Sequence, residues 1–468
     1  MVFSNLIFLY LFLPFCLAAY FLCRGIRAKN VVLLVFSFVF YAWGEPVYLL
    51  LMIAAAAINW GCGLLLQKKR KKLWLVLALV LDLGGLAVFK YAGFLVENFN
   101  ALFHTALTVP QIPLPIGISF YTFQALSYTV DVWRGDVQAQ RSFGRFLLYI
   151  SLFPQLIAGP IVRYADVEKQ IDDRTFSPTD AFYGATRFCI GLAKKVLLAD
   201  AAGKVATQIL DGTAASTTTA AAWLGILLYT FEIYFDFSGY SDMAIGMGRI
   251  FGFKYMENFR LPYTSRSITE FWRRWHISLG SFFRDYVYIP LGGKKKHQIL
   301  NMAIVWALTG LWHGASWNFA LWGLYFFVIL TIEKLLGSRQ KKIPSVLRHV
   351  ITMLLVIFGW NIFYYTDLTR MVQSFGTLFG ACGSGLFDAQ TGILLTNNLP
   401  LLLVCAIGVT SVPQNIGNLF GGMCAQKQTT AGQVVYAAVA YAFDLALLAL
   451  STIALVGSTY NAFLYFRF

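Results

Sequence analysis

The sequence predicts an all-α protein that crosses a membrane many times. Of its 468 residues, 58% are hydrophobic and only 13% are charged, whereas soluble proteins carry about 25% charged residues. The apolar residues fall in blocks of membrane-spanning length, about 20 residues each. These blocks lack the alternation that marks the short strands of an outer-membrane barrel. The composition therefore predicts a polytopic helical membrane protein.

The basic residues are explained by the membrane. The formal net charge is +15, and the cations lie mainly in short loops between apolar blocks, where they orient the chain and meet anionic lipid headgroups. Membrane lipid is thus an expected partner and nucleic acid is not. The seven cysteines form no CxxC motif and no Cys/His cluster, so neither a metal site nor a disulfide framework is predicted.

The first three apolar blocks predict the orientation of the chain. Residues 3–23 have no basic stretch before them and no clear cleavage site after them, which favours a retained helix over a signal peptide. Arg24, Arg27 and Lys29 follow this block, and the basic run 68–72 follows the block 46–66. Because two passes separate these basic flanks, both are expected in the cytoplasm, with the N-terminus outside.

About eleven spans are predicted in all. We expect one integral membrane domain over 1–468, with N-terminal spans in 1–110, a core in 111–336 and C-terminal spans in 337–468. The second block is 31–44, and the blocks after the third are 73–92, 115–130, 144–161, 181–210, 220–252, 299–332, 347–366, 371–381, 394–420 and 433–460.

One histidine lies within the block 299–332. The stretch "GLWHGASWNF", residues 310–319, places His313 in a run from Asn301 to Leu330 that holds no Asp, Glu, Lys or Arg. An ionisable group inside a membrane is costly and usually functional. Gly310 and Gly314 leave room for the close approach of a ligand or of another backbone. The alternative is a tight helix crossing with a hydrogen-bonded histidine.

A second histidine lies in an amphipathic segment, residues 267–296, which is expected to lie in the cytoplasmic interface or to dip inward. On a single helical wheel its large apolar side chains share one face, His276 lies at the edge of that face, and Arg273 and Arg284 lie on the other. Ser267 or Thr269 is the predicted N-cap. The apolar face consists of Ile268, Phe271, Trp272, Trp275, Leu279, Phe282, Phe283 and Tyr286.

Together these stretches resemble the membrane-bound O-acyltransferase family, and in particular its bacterial branch that acetylates polysaccharides. The resemblance runs from residue 114 to the end of the chain. It is carried by "LPIGISFYTFQALSYTVDVWRG" (114–135), "FPQLIAGPIVRYADV" (153–167), the region 234–293 with "FWRRWHISLGSFFRDYVYIPLGG", "GLWHGASWNFALWG" (310–323) and the tail "YNAFLYFRF" (460–468). Gly280, where the family commonly has Ser, and Ala462, where it commonly has Pro, depart from the pattern.

The resemblance implies a ring of membrane helices around a thinned centre crossed by a tunnel. It implies His313 as the central catalytic histidine and His276 as its partner across the tunnel. It also implies an acetyl donor on the cytoplasmic side and an acceptor outside. The expected donor is acetyl-CoA, used as a substrate, with no permanently bound cofactor. The expected acceptor is an exported polysaccharide, as in alginate biosynthesis, reached through an extracytoplasmic acetyltransferase- or esterase-like partner.

The residues suit this chemistry. Transfer of an acyl group to an alcohol needs a general base, and imidazole is neutral near pH 7 and accepts a proton. Candidate donors to the oxyanion are Trp312, Trp317, Asn318 and His276. Cations for the donor's phosphates are sought on the second histidine segment and its flanks. The substrate-binding candidates on this segment are Arg273, Arg274 and Arg284, together with the aromatic residues Trp272 and Trp275. The three arginines belong to a wider basic group that adds Arg260, Arg266, Lys294, Lys295 and Lys296.

Two other functions remain open on the sequence. One is D-alanyl transfer from a carrier protein to teichoic acid, within the same family. The other is a proton-coupled transporter, in which His313 belongs to a proton relay, although we find none of the repeats and paired broken helices that many transporters show. The sequence has no GxSxG motif, which argues against a serine-hydrolase mechanism.

Overall fold

The computed structural model describes residues 1–68, 71–157, 159–212, 217–381, 385–426, 430–457 and 463–464. Lys69, Arg70 and Ala462, which the sequence analysis used, lie outside these ranges. The described residues form helices joined by turns. The helices are α1 Leu13–Leu22, α2 Ile26–Ala42, α3 Pro46–Leu66, α4 Lys71–Phe103, α5 Ile118–Arg134, α6 Phe143–Ser151, α7 Phe153–Leu156, α8 Tyr164–Asp172, α9 Pro178–Ala193, α10 Asp200–Leu210, α11 Thr219–Ile250, α12 Ile268–Arg274, α13 Ile277–Phe283, α14 Gln298–His313, α15 Trp317–Leu336, α16 Ser345–Tyr364, α17 Leu368–Leu378, α18 Ala389–Gly408, α19 Val412–Gln426 and α20 Thr430–Val456.

Seven helices among the described residues are long and apolar enough to cross a membrane: α3, α4, α11, α15, α16, α18 and α20. The prediction of an all-α polytopic membrane protein is confirmed. Several of the remaining apolar helices are shorter than a span, such as α2 and α5 with 17 residues each. The spanning helices differ in position, because 72% of the apolar window of α11 is buried but only 17% of that of α4. Helix α11 is therefore central and α4 peripheral.

Four glycines seat α9 against the central helix α11. A Cβ atom built on Gly184 would lie 2.5 Å from the carbonyl oxygen of Gly246, and one on Gly246 would lie 2.5 Å from that of Gly184. Gly191 and Gly239 repeat the arrangement at 2.6 and 2.7 Å. The two helices run antiparallel with their backbones in contact, as small residues permit in membrane proteins.

Two predicted apolar blocks are divided into separate helices. The block 299–332 was expected as one apolar run, but α14 ends at His313 and α15 begins at Trp317. The block 144–161 breaks at Leu152, after which the short α7 begins at Phe153, with Pro154 in its first turn. The reason in each case is backbone geometry that hydropathy does not report, since an apolar run reads the same whether it is straight or bent.

The single helical wheel drawn over residues 267–296 was also wrong. Helix α12 ends at Arg274, Trp275 is extended, and His276 is left-handed with φ 45° and ψ 54°. Arg273 and Arg284 therefore do not share a face of one helix. The apolar residues of the predicted face are nevertheless buried, with the exception of the half-buried Trp272 and Tyr286. The Ser267 hydroxyl accepts the N–H of Glu270, which confirms Ser267 as the N-cap.

We predict that Gly191→Ala lowers the melting temperature of the purified protein in detergent. The added Cβ meets backbone that cannot move aside, and overpacking of this kind costs about 1–3 kcal/mol. The matched control is Gly84→Ala on α4, where nothing lies within 4 Å of the added atom. Equal melting temperatures for the two variants would contradict the close α9–α11 contact.

Candidate active site

His313 is the last residue of α14, at a corner of the chain. Gly314 is extended, with φ −171° and ψ 159°, and the next helix begins three residues later at Trp317. The imidazole is held by aromatic rings: its centroid lies 4.9 Å from those of Trp312 and Trp322 and 5.2 Å from that of Phe363. The corner therefore projects the ring into an aromatic enclosure.

Small residues allow the corner to form. A Cβ on Gly310 would lie 2.4 Å from the carbonyl oxygen of Phe319, and one on Gly314 would lie 2.2 Å from the Phe319 ring. Gly323 faces Gly310 across the α14–α15 crossing, with the built Cβ of each 3.4 Å from the Cα of the other. Of the two explanations offered for Gly310 and Gly314, the tight crossing accounts for both.

Two residues of α4 close the end of α14. A helix leaves its last carbonyl oxygens without intrahelical donors, and in a membrane they must find partners within the protein. The Tyr91 hydroxyl donates to the carbonyl oxygen of Leu311 at 2.6 Å. The Lys90 ammonium donates to the carbonyl oxygens of Trp312 and His313, the latter at 3.2 Å. Sequence reasoning missed both, because nothing in the local sequence of α4 indicates this distant contact.

His276 occupies the second corner, between α12 and α13. Left-handed backbone is uncommon outside glycine, and here it turns the imidazole into the core, where the residue is 2% exposed. Its ring lies 4.6 Å from the Phe237 ring and 5.8 Å from the Trp312 ring, measured between centroids. Its Nδ1 lies 3.1 Å from Oδ1 of the fully buried Asn258.

A cavity of about 40 Å³ borders His313, enough for one or two water molecules. His276 is not among its lining residues, but Phe237 lines the cavity and touches the His276 ring, and Trp312 touches both imidazoles. The two histidine corners thus meet at Trp312. The lining consists of Ile233, Asp236, Phe237, Trp275, His313, Trp322, Trp360, Phe363 and Leu464.

A buried ion cluster forms another part of the cavity wall. Lys195 Nζ lies 2.5 Å from Asp236 Oδ1 and 2.7 Å from Asp200 Oδ1, with the Lys195 and Asp236 side chains 2% and 4% exposed. The other oxygen of Asp236 accepts the backbone N–H of Leu464. The Asp236 carboxylate is therefore neutralised by Lys195, and it joins the end of the chain to the cavity. Asp236 was another residue that sequence reasoning did not select.

The family model for MBOAT, the membrane-bound O-acyltransferase family, matches residues 137–375, which include both histidines. The chain belongs to the membrane-bound O-acyltransferase family. It is 38% identical to a protein of Azotobacter vinelandii named "Probable alginate O-acetylase AlgI", over 100% of each chain. It is 44% identical to the protein of that name from Pseudomonas aeruginosa, over 81% of this chain and 76% of the relative. A peptidoglycan O-acetyltransferase of Helicobacter pylori is 33% identical over 82% and 81%.

The predicted substrate-binding aromatic residues of this O-acyltransferase occupy different places. Trp275 lines the cavity beside His313, and Trp312 contacts both imidazoles. Trp272 packs between Trp306 and Phe326, with its ring centroid 4.9 Å from each of theirs. Trp317 is 53% exposed, and its indole N–H donates to Asn98. The structure therefore brings Trp275 and Trp312 to the site and leaves Trp317 outside it.

Asn318 is fully buried beside the cavity but is engaged by the backbone of α16. Its amide nitrogen donates to the carbonyl oxygens of Phe363 at 3.1 Å and Ile362 at 3.4 Å. The amide nitrogen is thereby directed at the backbone of the helix that carries Phe363. In this arrangement Asn318 fixes a wall of the cavity.

The predicted arginines are divided between ion pairs and solvent. Arg274 lies 2.6 Å from Glu270 and Arg284 lies 2.6 Å from Asp285, while Arg273 is exposed. Partial burial alone would raise the pKa of Asp285, but hydrogen bonds from Arg284 and Arg163 outweigh it and hold this pKa below its usual range. No cluster of three metal-binding side chains occurs within the described ranges of the chain.

We predict that Lys90→Met lowers both the melting temperature and the acyl-transfer rate. It removes the donor for the carbonyl oxygens of Trp312 and His313, and hydrogen bonds from a charged group contribute about 1.5–3 kcal/mol. Loss of the His313 orientation should reduce the rate about tenfold or more, while Lys90→Arg should retain most of it.

The control for Lys90 is Lys72→Met, an exposed lysine on the same helix. Both variants are measured by thermal unfolding and by transfer in reconstituted vesicles. A Lys90→Met protein with the wild-type rate would show that the end of α14 keeps its geometry without this donor.

Proposed function

We propose that this O-acyltransferase moves an acetyl group from acetyl-CoA on the cytoplasmic side of the membrane to hydroxyl groups of an exported polysaccharide. The observation that carries the proposal is the position of His313 at a cavity enclosed by aromatic rings, within a chain whose relatives are named for acetyl transfer to alginate and to peptidoglycan.

In the proposed reaction, the acceptor hydroxyl oxygen attacks the thioester carbonyl while His313 takes the hydroxyl proton. The carbon–sulfur bond then breaks, and the CoA sulfur leaves as a thiol with the proton that His313 returns to it. Neutral imidazole is suited to this step. The aromatic rings around His313 limit water to the small cavity beside it, which protects the thioester from hydrolysis and strengthens electrostatic interactions with the developing oxyanion.

Exposed arginines support a phosphate-bearing donor. Arg260, Arg266 and Arg273 are exposed, and none of them forms an ion pair with a residue that the structure describes. They lie on the segment that leads to His276, with the backbone N–H of Arg260 bonded to the carbonyl oxygen of Arg274. Guanidinium groups bind phosphates by paired hydrogen bonds, and CoA carries several phosphates.

The acceptor side is proposed from topology. The chain is placed in the bacterial inner membrane with its N-terminus outside, and an extracytoplasmic acetyltransferase- or esterase-like partner passes the acetyl group to the polysaccharide. The alternatives differ in the donor and in the reaction. A D-alanyltransferase would require an aminoacyl carrier protein, and a proton-coupled transporter would release no CoA.

We expect His313→Ala to abolish acetyl transfer while the protein stays folded. Loss of a general base reduces a rate by about 10²- to 10⁴-fold. The measurement is release of CoA from acetyl-CoA, together with acetylation of the polysaccharide by cells that carry the variant. His104→Ala, at an exposed histidine outside the site, is the control.

A folded His313→Ala protein that acetylates at nearly the wild-type rate would refute the assignment of the base. If the wild-type protein instead turns over an aminoacyl carrier and not acetyl-CoA, the donor is wrong. These two results are distinct, because the second leaves the role of His313 intact.

The proposed topology places residues 294–296 in the cytoplasm. Lys295→Cys, at an exposed position, should not react with a membrane-impermeant thiol reagent added to intact cells and should react after the cells are opened. Labelling is compared with that of the parent protein, because the chain has cysteines of its own. Rapid labelling at this position in intact cells would reverse the orientation.

A further inference from the structure

The amide of Asn258 lies against the His276 imidazole, and its orientation is determined by its other contacts. Oδ1 of Asn258 lies 3.2 Å from the backbone nitrogen of Ser278 and 2.9 Å from the Ser278 hydroxyl. A backbone N–H only donates, so the atom that faces it must be the amide oxygen. On the other side, Nδ2 donates to the Ser241 hydroxyl at 3.0 Å.

The hydroxyl of Ser278 is oriented as well. It accepts the backbone N–H of Ile161 at 3.0 Å. Two acceptors lie near its own hydrogen, Oδ1 of Asn258 at 2.9 Å and Nδ1 of His276 at 3.4 Å, and the shorter distance assigns the hydrogen to Asn258. The backbone reinforces the arrangement, because the N–H of Ile277 donates to the carbonyl oxygen of Asn258 at 2.9 Å. Asn258 is therefore held to α13 and to Ser241 of α11 by both its backbone and its side chain.

An amide oxygen has no hydrogen to give. The contact of 3.1 Å between Oδ1 of Asn258 and Nδ1 of His276 is therefore a hydrogen bond only when Nδ1 carries the proton. In the neutral imidazole this leaves Nε2 unprotonated. Nε2 is buried and has no hydrogen-bond partner among the described residues. The ring lies beside Trp312, which contacts His313, and beside Phe237, which lines the same cavity as His313.

We propose that Asn258 is a positioning residue that holds His276 in the Nδ1–H tautomer, so that His276 presents Nε2 as a hydrogen-bond acceptor to the substrate hydroxyl. This inference rests on the proposed function. It assigns His276 the task of orienting the hydroxyl that attacks the thioester, and it excludes the neutral ring as a donor from Nε2 to the oxyanion. The hydroxyl proton itself still passes to His313.

The ion pairs behind Asn258 fit this assignment. Glu257, the preceding residue, is paired with Arg187 at 2.5 Å, and Arg187 is paired with Asp242 of α11 at 2.9 Å. The loop that carries Asn258 is thus anchored to α9 and α11. An anchored loop keeps the amide in one place, which a tautomer-determining contact requires.

The direct test is ¹⁵N NMR of the full-length protein labelled at histidine, in lipid bilayers, with the His276 signals identified by their loss in His276→Gln. We expect wild-type His276 to have a protonated Nδ1 and an unprotonated Nε2. Asn258→Leu, which has a similar shape but no acceptor, should shift the population toward the Nε2–H tautomer. Asn258→Asp, which keeps an acceptor oxygen, should preserve the wild-type tautomer.

The kinetic test measures kcat and KM for acetyl transfer. For Asn258→Leu we expect kcat to fall about tenfold or more. The fall should not exceed the loss expected on removal of a general base, about 10²- to 10⁴-fold. The KM for acetyl-CoA should change less than kcat. Asn258→Asp should recover part of the loss. Asn301→Leu is the matched control, since Asn301 is also a buried membrane asparagine, bonded to the carbonyl oxygens of Gly293 and Lys296.

An Nε2–H tautomer in the wild-type protein, or an unchanged tautomer in folded Asn258→Leu, would overturn the inference. The wild-type spectrum alone decides the first point, so a variant that fails to fold does not leave the question open. Failure of the proposed function is a separate result: a wild-type protein that does not use acetyl-CoA changes the reaction but not the NMR signals of His276.

Discussion

The site depends on a helix end inside the apolar part of the protein. Helix α14 stops at His313, and its last carbonyl oxygens must be satisfied without bulk water. Lys90 and Tyr91 of α4 supply the donors. If α14 continued unbroken, His313 would be one side chain on a straight helix. Because the helix ends there and donors from α4 satisfy its last carbonyl oxygens, the imidazole lies at a fixed corner against Trp322 and Phe363.

The fold class followed from the sequence because it depends on composition and block length. The bounds of α3 were predicted as 46–66 and are Pro46–Leu66. The breaks could not be predicted in the same way, because the partners that stabilise them lie far along the chain: Lys90 is 223 residues from His313. The two histidines were found because each is an unusual residue type in its segment. Lys90 and Asp236 also lie within predicted apolar blocks, 73–92 and 220–252, so the rule that selected His313 would have selected them too. Asn258 gave no such signal, since its importance lies in which distant atoms it contacts.

The chain turns sharply at both His313 and His276, but different contacts stabilise the two turns. At the His313 corner, Lys90 and Tyr91 donate hydrogen bonds to the last carbonyl oxygens of α14. Gly310 and Gly314 provide the space for the close contact with α15. The corner at His276 needs a left-handed residue and is closed by the amide of Asn258 and the hydroxyl of Ser278. Left-handed backbone at a residue other than glycine is maintained only where surrounding contacts over-determine it, and here the bonds of Asn258 and Ser278 provide those contacts.

The choice of histidine over a carboxylate follows from the same surroundings. Asp236 borders the cavity, but a buried carboxylate requires compensation, and it is held by Lys195 and by the N–H of Leu464. The oxygens of a carboxylate engaged in this way are occupied by the Lys195 ammonium and the Leu464 N–H, so they are not open to a substrate. A neutral imidazole needs no counterion, so His313 and His276 can sit among aromatic rings with lone pairs still open to a substrate. The enclosure that makes charge costly therefore also suits imidazole to its proposed role as the base.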